Sequence, residues 1–141
     1  MRARYRRLLL AASALIFAFG GVMHAMAFWA KALSGIEHSN LPPFLAAEVK
    51  VLWLSDSATL IAVAVLSGFI AARPASADRA ATMLLALVPA GTAALLYSFL
   101  GGFYAAHLLM AGSAMVFVAG LLTPQPEGPR AFSAALEQAQ P

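Results

Sequence analysis

The chain has 141 residues, of which 62% are hydrophobic and 11% charged, with a net charge of +3 and no cysteine. A soluble domain carries about one quarter charged residues, so these few charges cannot cover the surface of a soluble monomer. The lack of cysteine excludes a disulfide framework, a zinc–thiolate site and a thiol nucleophile. The composition therefore predicts an integral membrane protein.

Four apolar segments are long enough, or nearly so, to cross a bilayer core, which needs about 20 helical residues. They comprise residues 8–30, 51–72, 80–100 and 104–122. Each must be helical, because a backbone surrounded by lipid has to satisfy its own hydrogen bonds. The predicted fold is all-α: a four-helix up-and-down bundle over residues 1–123. A flexible cytoplasmic tail, residues 124–141, is expected to follow it.

The basic residues predict the orientation of these spans. With a cytoplasmic amino terminus, the inner side carries Arg2, Arg4, Arg6, Arg7, Arg73, Arg79 and Arg130, and the outer side carries Lys31 and Lys50. This split follows the positive-inside rule and places both termini in the cytoplasm. The arginine cluster next to an apolar run is a topology signal, and we expect no nucleic-acid partner.

A secretory signal peptide is the competing interpretation of the amino terminus. The arginine-rich start is followed by an apolar run and then by Ala25-Met26-Ala27, which resembles a cleavage site. That apolar run is longer than is usual in signal peptides, so we favour a first helix that is retained.

Three ionisable side chains lie inside the predicted spans: His24, Asp56 and His107. Such groups cost about 2.5–3.5 kcal/mol on insertion, so each needs a partner or a function. The helical rise places all three within about 9 Å of the outer ends of their helices. Tyr97 and Ser57 lie at a similar depth, and the inner half has no comparable cluster. The sequence therefore predicts a polar pocket in the outer leaflet.

Several interpretations of this pocket remain open. Mainly apolar pockets with a few polar groups bind lipid-like or quinone-like molecules, whose head would meet His24, Asp56 and Tyr97. Two histidines and a carboxylate can also ligate a metal ion, and His24 with His107 can ligate haem. No short histidine motif strengthens these two interpretations, and we rank them lower. Alternatively, the three ionisable groups only hydrogen-bond to one another and tie the helices together.

Small residues and aromatic residues predict how the helices pack. The last span carries a seven-residue repeat of small residues: Ala105/Ala106, Gly112/Ser113 and Ala119/Gly120. Small residues allow close helix contacts in lipid. Pro89 predicts a kink in the third span, because its ring crowds the carbonyl of Leu85. An outer aromatic belt is expected from Phe28, Trp29, Trp53, Phe103 and Tyr104.

The layout resembles the small bacterial four-helix membrane proteins known as DoxX-like. The resemblance is carried by Gly20-Gly21-Val22-Met23-His24, by Lys31 with a long outer loop, by Pro42-Pro43, and by Gly68-Phe69-Ile70-Ala71-Ala72-Arg73-Pro74. It implies a bacterial inner-membrane protein, in a group of which some members act in redox or oxidative-stress functions beside partner proteins. The chain departs from the group at one point, since Arg6 and Arg7 precede the first span. No site residue is carried over from the family.

We therefore expect a non-enzymatic accessory or interaction subunit whose pocket suits a lipid-like or quinone-like ligand. Its expected partners are membrane lipids and either another membrane protein or further copies of the chain. One alternative is a redox or metal- or haem-dependent enzyme that uses His24, Asp56 and His107. A second alternative is a small transporter, although the inner half lacks the polar groups of a through-path.

Overall fold

The computed structural model describes residues 1–124 and is helical throughout, with no strand among these residues. The helices are α1 (Arg2–Ala27), α2 (Leu33–Glu37), α3 (Pro43–Ala72), α4 (Arg79–Leu85), α5 (Leu87–Leu100) and α6 (Tyr104–Leu121). A π-helical turn, Phe28–Ala32, joins α1 to α2, and a short 3-10 turn, Pro74–Ser76, follows α3. The predicted cytoplasmic tail lies outside the described residues from position 125 onward.

Four continuous helical stretches are long and apolar enough to cross a membrane. They contain 36, 30, 22 and 18 residues and correspond to Arg2–Glu37, Pro43–Ala72, Arg79–Leu100 and Tyr104–Leu121. The prediction of an all-α chain with four possible spans is confirmed for the described residues.

The long connection expected from about Lys31 to Lys50 is shorter in the structure, and the second span begins early, as Pro42-Pro43 predicts. The first helix begins at Arg2 and continues through the π-helical turn to Glu37, and the next begins at Pro43. Only residues 38–42 separate them, because the strong helix-breaking signals come late, at Ser39-Asn40 and Pro42-Pro43. Proline is well suited to the first turn of a helix, where its missing N–H would have no partner.

In the third span, where Pro89 predicts a kink, the α-helical pattern is interrupted. The α-helical pattern breaks at Ala86, between α4 and α5. Pro89 has no N–H to donate to the carbonyl of Leu85, four residues earlier. Just before this point, the N–H of Ala86 donates to the carbonyl of Met83 at 3.1 Å. This bond spans three residues rather than four, so the turn is tighter than that of an α-helix.

Small residues bring the helices together around α1 and α6. Helix α1 packs between α3 and α6, and α6 also packs against α4 and α5. A Cβ at Gly21 would lie 3.0 Å from the carbonyl oxygen of Ser57, and one at Gly112 only 2.6 Å from the Phe17 ring. The predicted small-residue face of α6 is buried at Ala106, Gly112, Ser113, Ala119 and Gly120.

The two helical hairpins differ in length. Helix α3 has 30 residues and α6 has 18, which correspond to about 45 Å and about 27 Å of rise. At one end, residues of the α1 amino terminus, of the α3–α4 turn and of the α6 carboxyl terminus line the same cavity, so these helix ends are level. The α1–α3 hairpin must therefore project beyond the α5–α6 hairpin at the opposite end.

Candidate functional site

Two of the predicted site residues form a pair between α1 and α3. His24 Nε2 lies 3.6 Å from Asp56 Oδ2, and each side chain keeps 33% of its surface exposed. The close contact of Gly21 with Ser57 sets the register of α1 against α3. This register brings the turn of α1 that contains His24 next to the turn of α3 that contains Asp56. At 3.6 Å the two groups attract each other if the histidine is protonated, but the distance is long for a hydrogen bond.

An aromatic group supports this pair, and it includes two residues of the predicted belt, Trp53 and Phe28. The rings of His24 and Trp53 stack with centroids 4.6 Å apart and planes within 10°. Trp53 Nε1–H also donates to the carbonyl oxygen of His24 at 3.0 Å. Phe28 is buried beside Trp53 rather than exposed to lipid. Aromatic rings are most favourable when they pack on another ring and pair their polar atom.

A second pair links α5 to α6 at the tip of the shorter hairpin. Tyr97 Oη and His107 Nδ1 lie 2.8 Å apart, and the two rings face each other at a tilt. In the neutral tautomer with a free Nδ1, the tyrosine hydroxyl donates and the histidine accepts. Both side chains are exposed.

Ser57 is placed differently from the other predicted pocket residues. It is buried in the α1–α3 contact, and its hydroxyl donates to the carbonyl oxygen of Trp53 at 3.3 Å, one turn earlier on α3. Ser57 therefore positions the two helices below the His24–Asp56 pair, and its hydroxyl is already satisfied within its own helix.

The two pairs lie at the same level of the bundle. The Phe17–Gly112 contact fixes the antiparallel register of α1 and α6, and this register sets His107 opposite position 22, about 3 Å along the axis from His24. We call His24, Trp53, Asp56, Tyr97 and His107 the polar layer.

The polar layer consists of two separate pairs. Among residues 1–124 no hydrogen bond joins the pairs, and no three His, Asp or Glu side chains form a group suited to a metal ion. The three metal ligands considered in the sequence analysis, His24, Asp56 and His107, therefore do not come together in the structure. The two histidines considered as haem ligands each have a different partner, Asp56 for His24 and Tyr97 for His107.

Sequence reasoning missed a polar contact at the other end of the molecule. Arg6 is only 4% exposed, and its guanidinium donates from Nη1 to the carbonyl of Pro74 at 2.9 Å and from Nη2 to that of Ala77 at 3.3 Å. A signal was present in the helical spacing. The buried face of α1 contains Arg6, Leu10, Ser13, Phe17 and Gly21, so the arginine continues the inward stripe.

Comparisons with protein-family models, curated proteins and solved structures gave no match to this chain. The DoxX-like layout therefore stays a prediction.

Proposed function

We propose that this chain is a multi-pass inner-membrane protein, with both termini cytoplasmic, that acts as a non-enzymatic accessory subunit. In this proposal the polar layer binds a lipid-like or quinone-like molecule. The observation that carries the proposal is the His24–Asp56 pair, which is one-third exposed within two candidate spans and whose histidine ring stacks on Trp53.

The geometry of the pair favours a third, hydrogen-bonding group. Ionisable side chains within a membrane are costly unless they are paired or serve a ligand. The 3.6 Å separation of His24 and Asp56 leaves hydrogen-bonding capacity on both side chains. A ligand carbonyl or hydroxyl placed against the exposed sides of both residues would use that capacity.

The surroundings suit the apolar part of such a ligand. Trp53 is partly exposed and supplies aromatic surface next to the pair, and binding sites for small molecules combine such surface with a few polar groups. The projecting α1–α3 hairpin also exposes large apolar side chains, which supports an accessory role in contact with lipid or another membrane protein. They include Trp29, Phe44, Leu45 and Leu52.

Identification of the bound molecule tests the proposal. The full chain is extracted gently from its own membrane and analysed by native mass spectrometry, with solvent extracts analysed for lipids and quinones. We expect a fixed additional mass that is lost in His24→Ala and in Asp56→Asn. His38→Ala is the matched control, because His38 is exposed at the tip of the long hairpin, bonded to the Ser34 carbonyl, and should keep the ligand.

The same experiment separates the other function classes. A metal or haem mass lost in the His24 and His107 variants would favour the enzyme. A bare chain with unchanged variants would contradict ligand binding. A transporter instead predicts that Asp56→Asn abolishes a pH-driven flux in vesicles.

The proposed orientation has its own test, which the absence of cysteine makes simple. Single cysteines are introduced by Ala3→Cys near the amino terminus and by Ser39→Cys between α2 and α3. In intact cells a membrane-impermeant maleimide should label only the Ser39 variant, and after lysis it should label both. Labelling of the Ala3 variant alone in intact cells would invert the proposed topology.

A further inference from the structure

The end of the bundle opposite the polar layer contains a cavity of about 490 Å³. It is formed where the amino terminus of α1, the α3–α4 turn, the start of α4 and the end of α6 meet. Its lining residues include Arg2, Arg6, Pro74, Arg79, Leu122 and Thr123. We call this region the arginine end.

Arg6 contributes a buried charge that the described residues do not neutralise. Its side chain lines the cavity and is 4% exposed. Among residues 1–124 its guanidinium donates to the neutral carbonyls of Pro74 and Ala77, and its Nε has no partner there. Within residues 1–124 the ion pairs are His24–Asp56 and Lys50–Glu37, and neither involves Arg6. A buried charge without a counter-charge is unfavourable.

The other charges around the cavity do not supply the missing negative charge. Arg2 and Arg79 also line it. The nearby acid, Asp78, borders an adjoining cavity, and its Oδ1 accepts a hydrogen bond from the N–H of Ala81 at 2.7 Å. Three arginines thus line a space at which, among residues 1–124, the neighbouring carboxylate of Asp78 is engaged in capping α4.

We propose that this cavity binds a phosphate group, carried by a phospholipid or free in solution. Guanidinium groups bind phosphate oxygens through paired, charge-assisted hydrogen bonds. The volume lies within the range of small-molecule sites. The apolar lining from Ala3, Leu121 and Leu122 adds a surface for the glycerol and first methylenes of a lipid.

This site does not depend on the ligand proposed for the polar layer. The two regions lie at opposite ends of α1, with Arg6 and His24 separated by about 27 Å of helical rise. Loss of one ligand therefore leaves the other site in place.

Binding is measured on the full chain in a neutral detergent by native mass spectrometry. The probe is phosphatidylglycerol, and diacylglycerol with the same acyl chains is the phosphate-free control. A parallel arm measures thermal stability in inorganic phosphate and in sodium chloride of equal ionic strength. Preference for phosphatidylglycerol over diacylglycerol with no effect of inorganic phosphate identifies the lipid, and stabilisation by inorganic phosphate identifies the free ion.

Four single variants carry the same change of charge at the same end of α1 and α4. Arg2→Gln and Arg79→Gln remove lining arginines, whereas Arg4→Gln and Arg7→Gln change exposed arginines that do not line the cavity. Loss of one charge-assisted contact should weaken binding about tenfold in each lining variant. The two control variants should bind within about twofold of the parent chain, since their side chains do not line the cavity and contribute only a screened surface charge.

Two outcomes would overturn the proposal. Equal weakening in all four variants would mean general attraction of anions to a basic surface. Circular dichroism establishes that both lining variants are folded. If binding is then unchanged in both of them, the cavity is not the phosphate site. Arg6→Gln adds a further check, because it should weaken binding more than either control variant.

Discussion

The arginine end and the polar layer both place polar side chains near the limits of the apolar spans, but they bond them in different ways. At the arginine end, Arg6 is buried and its guanidinium donates to the backbone carbonyls of the turn that follows α3. In the polar layer, side chains pair with side chains, and the His24–Asp56 pair stays one-third exposed. Backbone carbonyls hold the Arg6 guanidinium in place beside its cavity, whereas the His24–Asp56 pair is held only by side chains.

This difference assigns separate roles to the two regions. Backbone carbonyls in a turn cannot leave their donor without moving the chain, so Arg6 fixes α1 to the α3–α4 connection. Polar side-chain pairs between membrane helices contribute only about 0.6 kcal/mol each to stability on average. The side chains of the polar layer can therefore give up a bond to each other and bond to a ligand at little cost. We therefore expect stability to depend mainly on Arg6 and on the small-residue contacts, and binding of the lipid-like or quinone-like ligand to depend on the polar layer.

The largest loss of stability is expected from Arg6→Ala. The substitution leaves the carbonyls of Pro74 and Ala77 without their donor and should lower the free energy of unfolding by about 3 kcal/mol, since hydrogen bonds from charged groups are among the stronger ones. Arg7→Ala, at an exposed neighbouring position, should change it by less than about 0.5 kcal/mol. Reversible unfolding in mixed detergent micelles, followed by circular dichroism, measures both. Equal losses would remove the distinction between the buried and exposed arginines.

A somewhat smaller loss is expected from Gly21→Ala, one turn below the polar layer. The new Cβ would lie 2.8 Å from Ile61 Cγ1 and 3.0 Å from the backbone oxygen of Ser57. Backbone atoms cannot yield as a side-chain tip can, so α1 and α3 must separate, at a cost of about 2 kcal/mol. Gly91→Ala is the control, because its Cβ would meet open space. A neutral Gly21→Ala would mean that this contact does not hold the helices together.

An intermediate effect is expected from Trp53→Phe. Phenylalanine keeps an aromatic face against His24 but loses the Nε1–H bond to the His24 carbonyl, which should cost about 1 kcal/mol. Trp29→Phe changes an exposed ring and should cost less. The same unfolding measurement compares them. If Trp29→Phe is the more destabilising, the indole of Trp53 does not support the histidine.

Much of this architecture could be predicted from composition and spacing. The lengths of the apolar segments predicted four helical stretches, and Pro89 predicted a kink in the third, where the α-helical pattern breaks at Ala86. Gly112 and Gly120 marked the close contacts of α6. The continuation of the first helical stretch through α2 to Glu37 escaped prediction, because a loop and a helix have similar composition where the chain leaves the apolar run. A π-helical turn also gives no simple periodic signal.

The candidate sites were less accessible to sequence reasoning. Depth in the predicted spans could be estimated from helical rise, and the structure brings two of the residues grouped in this way, His24 and Asp56, within 3.6 Å of each other. The partner of each group could not be obtained, since it depends on which helices are neighbours and on their rotation. Arg6 was missed because the positive-inside rule already explained an arginine at that position, while its burial depends on the path of the turn that contains Pro74 and Ala77.

The smallest expected effect concerns the Tyr97–His107 pair, and it sharpens the comparison within the polar layer itself. A double-mutant cycle of Tyr97→Phe and His107→Ala should give a coupling of about 0.6 kcal/mol in the free energy of unfolding, typical of polar pairs between membrane helices. The 2.8 Å hydrogen bond is short, but both rings are exposed and lose side-chain entropy in forming it.

The matched cycle uses His24→Ala and Asp56→Asn. Added ligand should raise the coupling only in this second cycle, because the ligand is proposed to bridge His24 and Asp56. A rise confined to the Tyr97–His107 cycle would move the proposed ligand to the shorter hairpin.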